Sequence, residues 1–301
     1  MAKKLIIDCD PGIDDALALI LAARVPDAQL LGLTTLAGNL PLSVTTGNAT
    51  ALAREIGLKP EILVWPGAAG PLQREFVDAG HIHGPRGLGN WHPEQDWSRV
   101  GLEHAVSFIA RQASSYPGEI TLVATGPLTN VALLLEYHAQ EALHLAEVVF
   151  MGGALRVPGN VTPQAEFNIW ADPEAAAAVL SSSLPLKMVG LDVTRQVLLT
   201  KSDLRRISKA SILGVRAASM VEYYLDNLGV EGCPLHDPLA LMAALRPELF
   251  GFKELPVQVE TSGCYSRGAT IIHPGAPGLP AAMTVDREAC REWLISVFSK
   301  S

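Results

Sequence analysis

Four aspartates, Asp8, Asp10, Asp14 and Asp15, fall within eight positions of KLIIDCDPGIDDALALILA, residues 4–22, directly after an apolar run. Carboxylates that close repel one another, and nearby lysine or arginine does not offset them. Alternation along a strand puts Asp8 and Asp10 on one side. The Pro11-Gly12 turn folds the Asp14-Asp15 pair back toward Asp10, and that pair opens the following helix, whose positive end tolerates acids. A bland account of single residues is available: Asp14 as a helix-start residue, Asp8 as a satisfied buried carboxylate. The whole cluster needs compensation. Oxygen ligands with no Cys or His spaced among them suit a hard cation, Ca²⁺ or Mg²⁺, over zinc. Ca²⁺ takes about six to eight oxygens, carbonyls and substrate hydroxyls included, whereas Mg²⁺ usually accompanies phosphate. No GxxxxGK[ST] phosphate cradle is present, and GPRGLG (84–89) does not fit GxGxxG after a strand. A further acid is available in CPLHDP, residues 233–238.

The elements that must position these groups read as an α/β fold. Apolar runs at 4–9, 29–36, 61–67, 119–126, 147–153 and 186–193 alternate with helical patterns at 14–24, 43–57, 101–115, 127–139 and 173–183. Continuous apolar strands spaced by helices predict an open, mostly parallel sheet covered on both faces, a Rossmann-like core. The last third predicts helices around 201–228 and 237–246, then short strands in VQVETSG, GATIIH and AAMTVD, and a final helix over about 287–299. No repeat, linker or low-complexity segment divides the chain, so one domain over 1–301 with a C-terminal elaboration is expected. Ligands of such sheets bind at the carboxyl ends of strands. Those ends carry Asp8 and Asp10, Ala37-Gly38-Asn39, Thr125-Gly126, Met151-Gly152-Gly153, and Asp192 with Thr194, all directed at one crevice.

The 301 residues are 49% hydrophobic and 18% charged with a net charge of −8, a globular composition without the basic run that nucleic acid or an anionic membrane would require. No run approaches the roughly 18 apolar residues of a membrane span, and the stretch behind MAKK is too short for a signal core. Cys9, Cys233, Cys264 and Cys290 show no paired spacing, which suits a reducing cytosol. A cytoplasmic protein is expected.

DCDPGIDDA, TTLAGN, HGPRGLG, ATGPLTNVALLL, VVFMGGA, AEFNIWADPEAA, GLDVT and LHDPLAL follow in this order. On these motifs the chain resembles the nucleoside hydrolases, the inosine–uridine preferring family that cleaves N-glycosidic bonds of ribonucleosides, from about residue 3 to 250 and more weakly beyond. The resemblance implies a Ca²⁺ held by Asp10, Asp15, the Thr125 carbonyl and Asp237, with the ribose 2′- and 3′-hydroxyls and a nucleophilic water completing the shell and Asp10 as base. It implies Asp14 on the 2′-hydroxyl, Asn168 on the 3′-hydroxyl, Asn39 beside metal and sugar, Asn160 and Glu166 on the 5′-hydroxyl, and Met151 on the sugar face. His236 is implied as the acid that protonates the leaving base, and His83 lies in a loop that closes over it. Tyr223 and Tyr224 lie on a helix that contacts the base in relatives, and Trp170 invites comparison with tryptophans that stack on purines. Family members are commonly dimers or tetramers, so a homo-oligomer with a ribonucleoside substrate is implied.

Two departures bear on specificity and packing. Residues 222–233 vary most among relatives and shape the base pocket, which leaves pyrimidine or inosine–uridine preference and purine preference both open. Relatives often read RGMTV where this chain has RGATI (267–271). Rival readings are a haloacid-dehalogenase-type phosphohydrolase, which also opens with DxD but continues Gly-Thr, and a non-catalytic nucleoside-binding protein.

Overall fold

A computed structural model describes residues 2–298. Eleven strands occur in it: β1 Lys3–Cys9, β2 Ala28–Thr35, β3 Val64–Pro66, β4 Ile120–Ala124, β5 Glu147–Met151, β6 Leu186–Val189, β7 Leu198–Thr200, β8 Gly232–Pro234, β9 Phe250–Val259, β10 Thr270–Ile272 and β11 Gly278–Val285. Nine form one sheet in the order β10-β9-β11-β6-β5-β4-β1-β2-β3, while β7 and β8 pair as a separate antiparallel ribbon. Strands β1 to β6 run parallel, and β11 joins β6 in parallel at Ala281 and Met188. Strands β9 and β10 close that end antiparallel.

The apolar strands are buried on both faces. Leu5 and Ile7 pack with the helices Ile13–Arg24, Ile212–Leu228, His236–Leu245 and Arg287–Phe298. Ile6, on the opposite face, packs with Ala105–Ser115, Thr129–Tyr137 and Pro173–Leu180. The chain lays β2 and β3 on one side of β1, then crosses to place β4 on the other. Strand order therefore reverses at β1, and the crevice beyond its carboxyl end is where a doubly wound sheet binds ligands.

Several expected elements change length. The run at 186–193 stops as a strand at Val189. Gly190 sits against the Gly153 carbonyl, where a Cβ would lie 2.7 Å from that oxygen, and Leu191–Thr194 continues as a helical turn. The helical stretch 201–228 divides into Lys201–Ser208 and Ile212–Leu228, with Ser211 capping the second by accepting from the Gly214 N–H. The 61–67 strand shortens to β3, and of VQVETSG only residues 257–259 are strand, as the end of the longer β9. The final helix spans Arg287–Phe298; its expected last residue, 299, lies outside the described residues, as do the two ends of the 1–301 domain. The β7–β8 ribbon and the turn Gly80–His83 had no counterpart in the sequence pattern.

Candidate active site

Asp10 follows β1 and is fully buried. Its Oδ2 accepts from the Asn39 backbone N–H at 2.6 Å, while Oδ1 has no hydrogen-bond partner. Glycine is required on both sides of it: a Cβ at Gly38 would lie 2.1 Å from Oδ2, and one at Gly126 2.6 Å from Oδ1. Asp15, in the first turn of Ile13–Arg24, accepts from Gly12 N–H (3.0 Å) and Asn39 Nδ2 (3.3 Å) on Oδ2, and from the Thr125 hydroxyl (2.7 Å) on Oδ1. Carboxylate oxygens of Asp14, Asp15 and Asp237 lie within 4.8 Å of one another, and Asp14 Oδ1 is buried without a partner.

Burial, then neighbouring acids, pushes the carboxyls of Asp10 and Asp237 well above the carboxylate range. Burial also raises Asp15, and Asp14 to about 6. Asp14, Asp15 and Asp237 form a donor set that fits a hard cation and could hold a metal ion; Asp10, which the resemblance implies as a ligand, lies outside that group although its Oδ1 is unpartnered. Asp8 stands apart from this set. Its Oδ1 accepts from Thr34 Oγ1 (2.6 Å) and Asn130 Nδ2 (2.8 Å), so it ties β1 to its neighbours beneath the site. Burial raises its carboxyl to about 6.

A cavity of about 440 Å³ opens above the acids. Of the sequence-derived site residues, Asp14, Asn39, His83, Thr125, Met151, Asn160, Glu166, Asn168, His236 and Asp237 line it, while Asp10 and Asp15 lie below its surface. Asn168 donates from Nδ2 to the carbonyls of Thr125 (2.6 Å) and Met151 (3.1 Å), which joins the ends of β4 and β5. Glu166 caps the short helix Phe167–Ala171, with Oε1 accepting from Asn168 N–H and Oε2 from the N–H groups of Ile169 and Gly153. Burial raises its carboxyl. Asn160 is exposed and accepts from Phe167 N–H at 2.8 Å, so it closes a turn as well as facing the cavity.

The two histidines are held neutral. His83 Nδ1 accepts from the Ile13 N–H at 3.2 Å, and burial drops its pKa to about 4. Gly12 makes room for that ring, since a Cβ there would lie 2.7 Å from Nδ1. His236 has Nδ1 2.8 Å from Thr194 Oγ1; burial first, then the Arg195 cation, lowers it to about 3.

Three placements differ from expectation. Tyr223 is absent from the cavity lining and packs against Gly84 and Gly89, whereas its neighbour Tyr224 lines the cavity with Leu228 one turn on. One residue along a helix turns the side chain by about 100°, so only one of two adjacent tyrosines can face a given wall. Asp192 does not enter the crevice. Its carboxylate accepts from the N–H groups of Leu155 and Arg156, both at 2.8 Å, because the strand ends before it. Trp170 lines the cavity, as does Arg195, which no motif had marked.

The model of the inosine-uridine preferring nucleoside hydrolase family matches residues 5–292. The pyrimidine-specific ribonucleoside hydrolase RihA of Photobacterium profundum is 39% identical over 279 residues, 90% of this chain and 89% of that protein. An uncharacterised protein of Schizosaccharomyces pombe is 38% identical over 291 residues, 93% of each chain. Among solved structures, a plant nucleoside hydrolase, PpNRh1, superposes with a TM-score of 0.94 at 32% identity, covering 100% of both chains. A purine-preferring ribonucleoside hydrolase from Gardnerella vaginalis gives 0.93 at 32%, covering 99% of this chain and 98% of that one. With the fold, the acidic floor and the match over nearly the whole length in agreement, the chain belongs to the inosine-uridine preferring nucleoside hydrolase family, whose members are N-ribosyl hydrolases acting on N-glycosyl compounds.

Proposed function

We propose that this protein hydrolyses the N-glycosidic bond of ribonucleosides to free base and ribose with Ca²⁺ as cofactor, held by Asp10, Asp15, the Thr125 carbonyl and Asp237. The observation that carries this reading is the buried acid floor with unpartnered oxygens on Asp10 and Asp14 beneath a cavity large enough for a nucleoside. A bound divalent cation lowers the pKa of a coordinated water and orients hydroxyl ligands. The remaining work belongs to the chain. Asp10 Oδ1, free of other partners, takes the proton from the attacking water. Asp14 and Asn168 grip the ribose 2′- and 3′-hydroxyls, with Asn39 beside them, and Asn160 and Glu166 hold the 5′-hydroxyl. Met151 packs on the sugar face. Binding these remote hydroxyls places C1′ over the water, and the surrounding carboxylates stabilise oxocarbenium character there.

His236 faces the departing base. As leaving-group acid it would act as the imidazolium, passing one proton to the leaving nitrogen as basicity builds there and returning to the neutral imidazole that its burial favours. His83 closes the same end of the cavity. The substrate class is pyrimidine or inosine–uridine ribonucleosides, in keeping with RihA; the purine-preferring structure keeps purine nucleosides as the alternative. The protein acts as one domain over 1–301, in the cytoplasm, as a homo-oligomer of the dimer or tetramer kind.

The deciding experiment measures free ribose from uridine, cytidine, inosine and adenosine, with and without prolonged EDTA treatment and in Asp10→Ala. Release ranked by base, abolished by chelation and reduced at least about a hundredfold by the substitution, is expected. Ribose release that survives both treatments would overturn the mechanism.

A further inference from the structure

The cavity's rim includes a loop, residues 154–166, that carries Asn160, Val161 and Glu166. Its second half closes on itself. The N–H groups of Asn160 and Val161 converge on the Ala165 carbonyl, Thr162 Oγ1 accepts from the Gln164 and Ala165 N–H groups, and Gly159 donates to the Pro163 carbonyl. Its first half forms no comparable turn. The hydrogen bonds of residues 155–158 run to the helical turn after β6: Leu155 and Arg156 donate to the two carboxylate oxygens of Asp192, and the Arg195 guanidinium donates to the carbonyls of Pro158 and Gly159, both at 2.7 Å. The turn is itself fixed, because Leu191 N–H donates to the Gly153 carbonyl and Gln196 Nε2 to the Asp192 carbonyl. Its other flank reaches the opposite wall, where Thr194 Oγ1 meets His236 Nδ1 and Leu235 N–H donates to the Val197 carbonyl.

We propose that Asp192 and Arg195 are positioning residues for the N-glycosidase reaction, a two-point anchor that fixes loop 154–166 so that Asn160 and Glu166 meet the 5′ end of the ribose. The carboxylate takes two N–H groups and the planar guanidinium fork takes two carbonyls, so the pair clamps both ends of a five-residue span, 155–159. Each charge-assisted bond exceeds a neutral one in strength. A lysine at 195 would reach as a point charge without the fork geometry. The assignment rests on the reading given above that this loop holds the 5′-hydroxyl, and displacing it by an ångström is enough to cost on the order of a hundredfold in rate.

Two readouts test it on Arg195→Ala, Arg195→Lys and Asp192→Asn in the full-length, metal-loaded protein, with Asn160→Ala as reference. The first is tryptic cleavage of the native protein at Arg156–Val157, within the anchored span. The second is the ratio of kcat/KM for the best-cleaved ribonucleoside to that for its 5′-deoxy analogue. Expected are several-fold faster cleavage and a ratio reduced about tenfold in Arg195→Ala, with partial recovery in Arg195→Lys; Asp192→Asn carries the test if the alanine variant fails to fold. Wild-type cleavage rates, or an unchanged ratio despite faster cleavage, overturn the anchor, and so does a reduced ratio without faster cleavage. If Asn160→Ala keeps the full 5′-hydroxyl preference, the assignment of that hydroxyl to this loop fails, and the cleavage rates alone then decide the anchor.

Discussion

Glycines beside Asp10 matter as much to the acid floor as the acids do. Gly38 has no conformational need to be glycine, but a methyl group there would occupy the space of Asp10 Oδ2 and press on the Pro127 ring. Gly38→Ala is expected to lower kcat/KM about a hundredfold while costing about 1–3 kcal/mol of stability, measured by steady-state kinetics and urea titration. Gly229 supplies the contrast. It ends the helix Ile212–Leu228 at φ +64° with open space around it, so Gly229→Ala is expected to cost about 1 kcal/mol and leave kcat/KM unchanged. Asp8 has a structural use, bonded to Thr34 and Asn130, but Asp10, Asp14 and Asp15 could be read from the sequence because so many acids after an apolar run have few such uses. The glycines' reasons could not, since a close approach between Gly38 and Asp10 joins residues 28 apart. Tyr223 and Tyr224 failed to separate for a related cause. Adjacent identical residues differ only in helix phase, and the helix is apolar on too broad a face to fix that phase from sequence.

Among the elements, the ends of β1, β2 and β3 are drawn together by Asn130, which lies in the helix Thr129–Tyr137. Its Nδ2 donates to Asp8 Oδ1 and the Thr35 carbonyl, and its Oδ1 accepts from Ala68 N–H. Asn130→Ala strands the buried Ala68 N–H and leaves Asp8 Oδ1 with Thr34 alone, and is expected to cost about 1–3 kcal/mol in denaturant unfolding. Buried on both faces, the strands of the parallel core were legible as continuous apolar runs. The error at 186–193 came from the same rule: Leu191 and Val193 are as buried as strand residues, but they belong to a helical turn that begins where Gly190 meets a backbone carbonyl. The β7–β8 ribbon escaped notice because each strand has only three residues, too few to establish a period.

Across the whole molecule, charge and stability are linked through the floor. Asp14, in the acid cluster, and Asp8, beneath it, are raised to about 6, so folding disfavours their ionised forms. That cost is absent below the unfolded carboxyl pKa of about 3.8 and fully present above about 6. On the function proposed above, a divalent cation would bind the ionised cluster and stabilise the folded state by mass action. The rise in melting temperature on adding Ca²⁺ to chelator-treated protein is therefore expected to be large at pH 7.5 and to shrink toward pH 4.5, as read by thermal melts across that range. Equal shifts at both values would contradict the linkage. Among the described residues no helix is long and apolar enough to cross a membrane.

The floor also joins distant parts of the chain. Helix Ile13–Arg24 brings Asp14 and Asp15, and helix His236–Leu245, packed against it, brings Asp237. More than two hundred residues separate the two, so the contact that completes the acid cluster closes a long loop, the kind of closure that slows folding. On the ribosome, the opening aspartates emerge long before their partner is made. The nascent chain must therefore carry an unfinished, self-repelling cluster until Asp237 has been made, and only then can the acid cluster close.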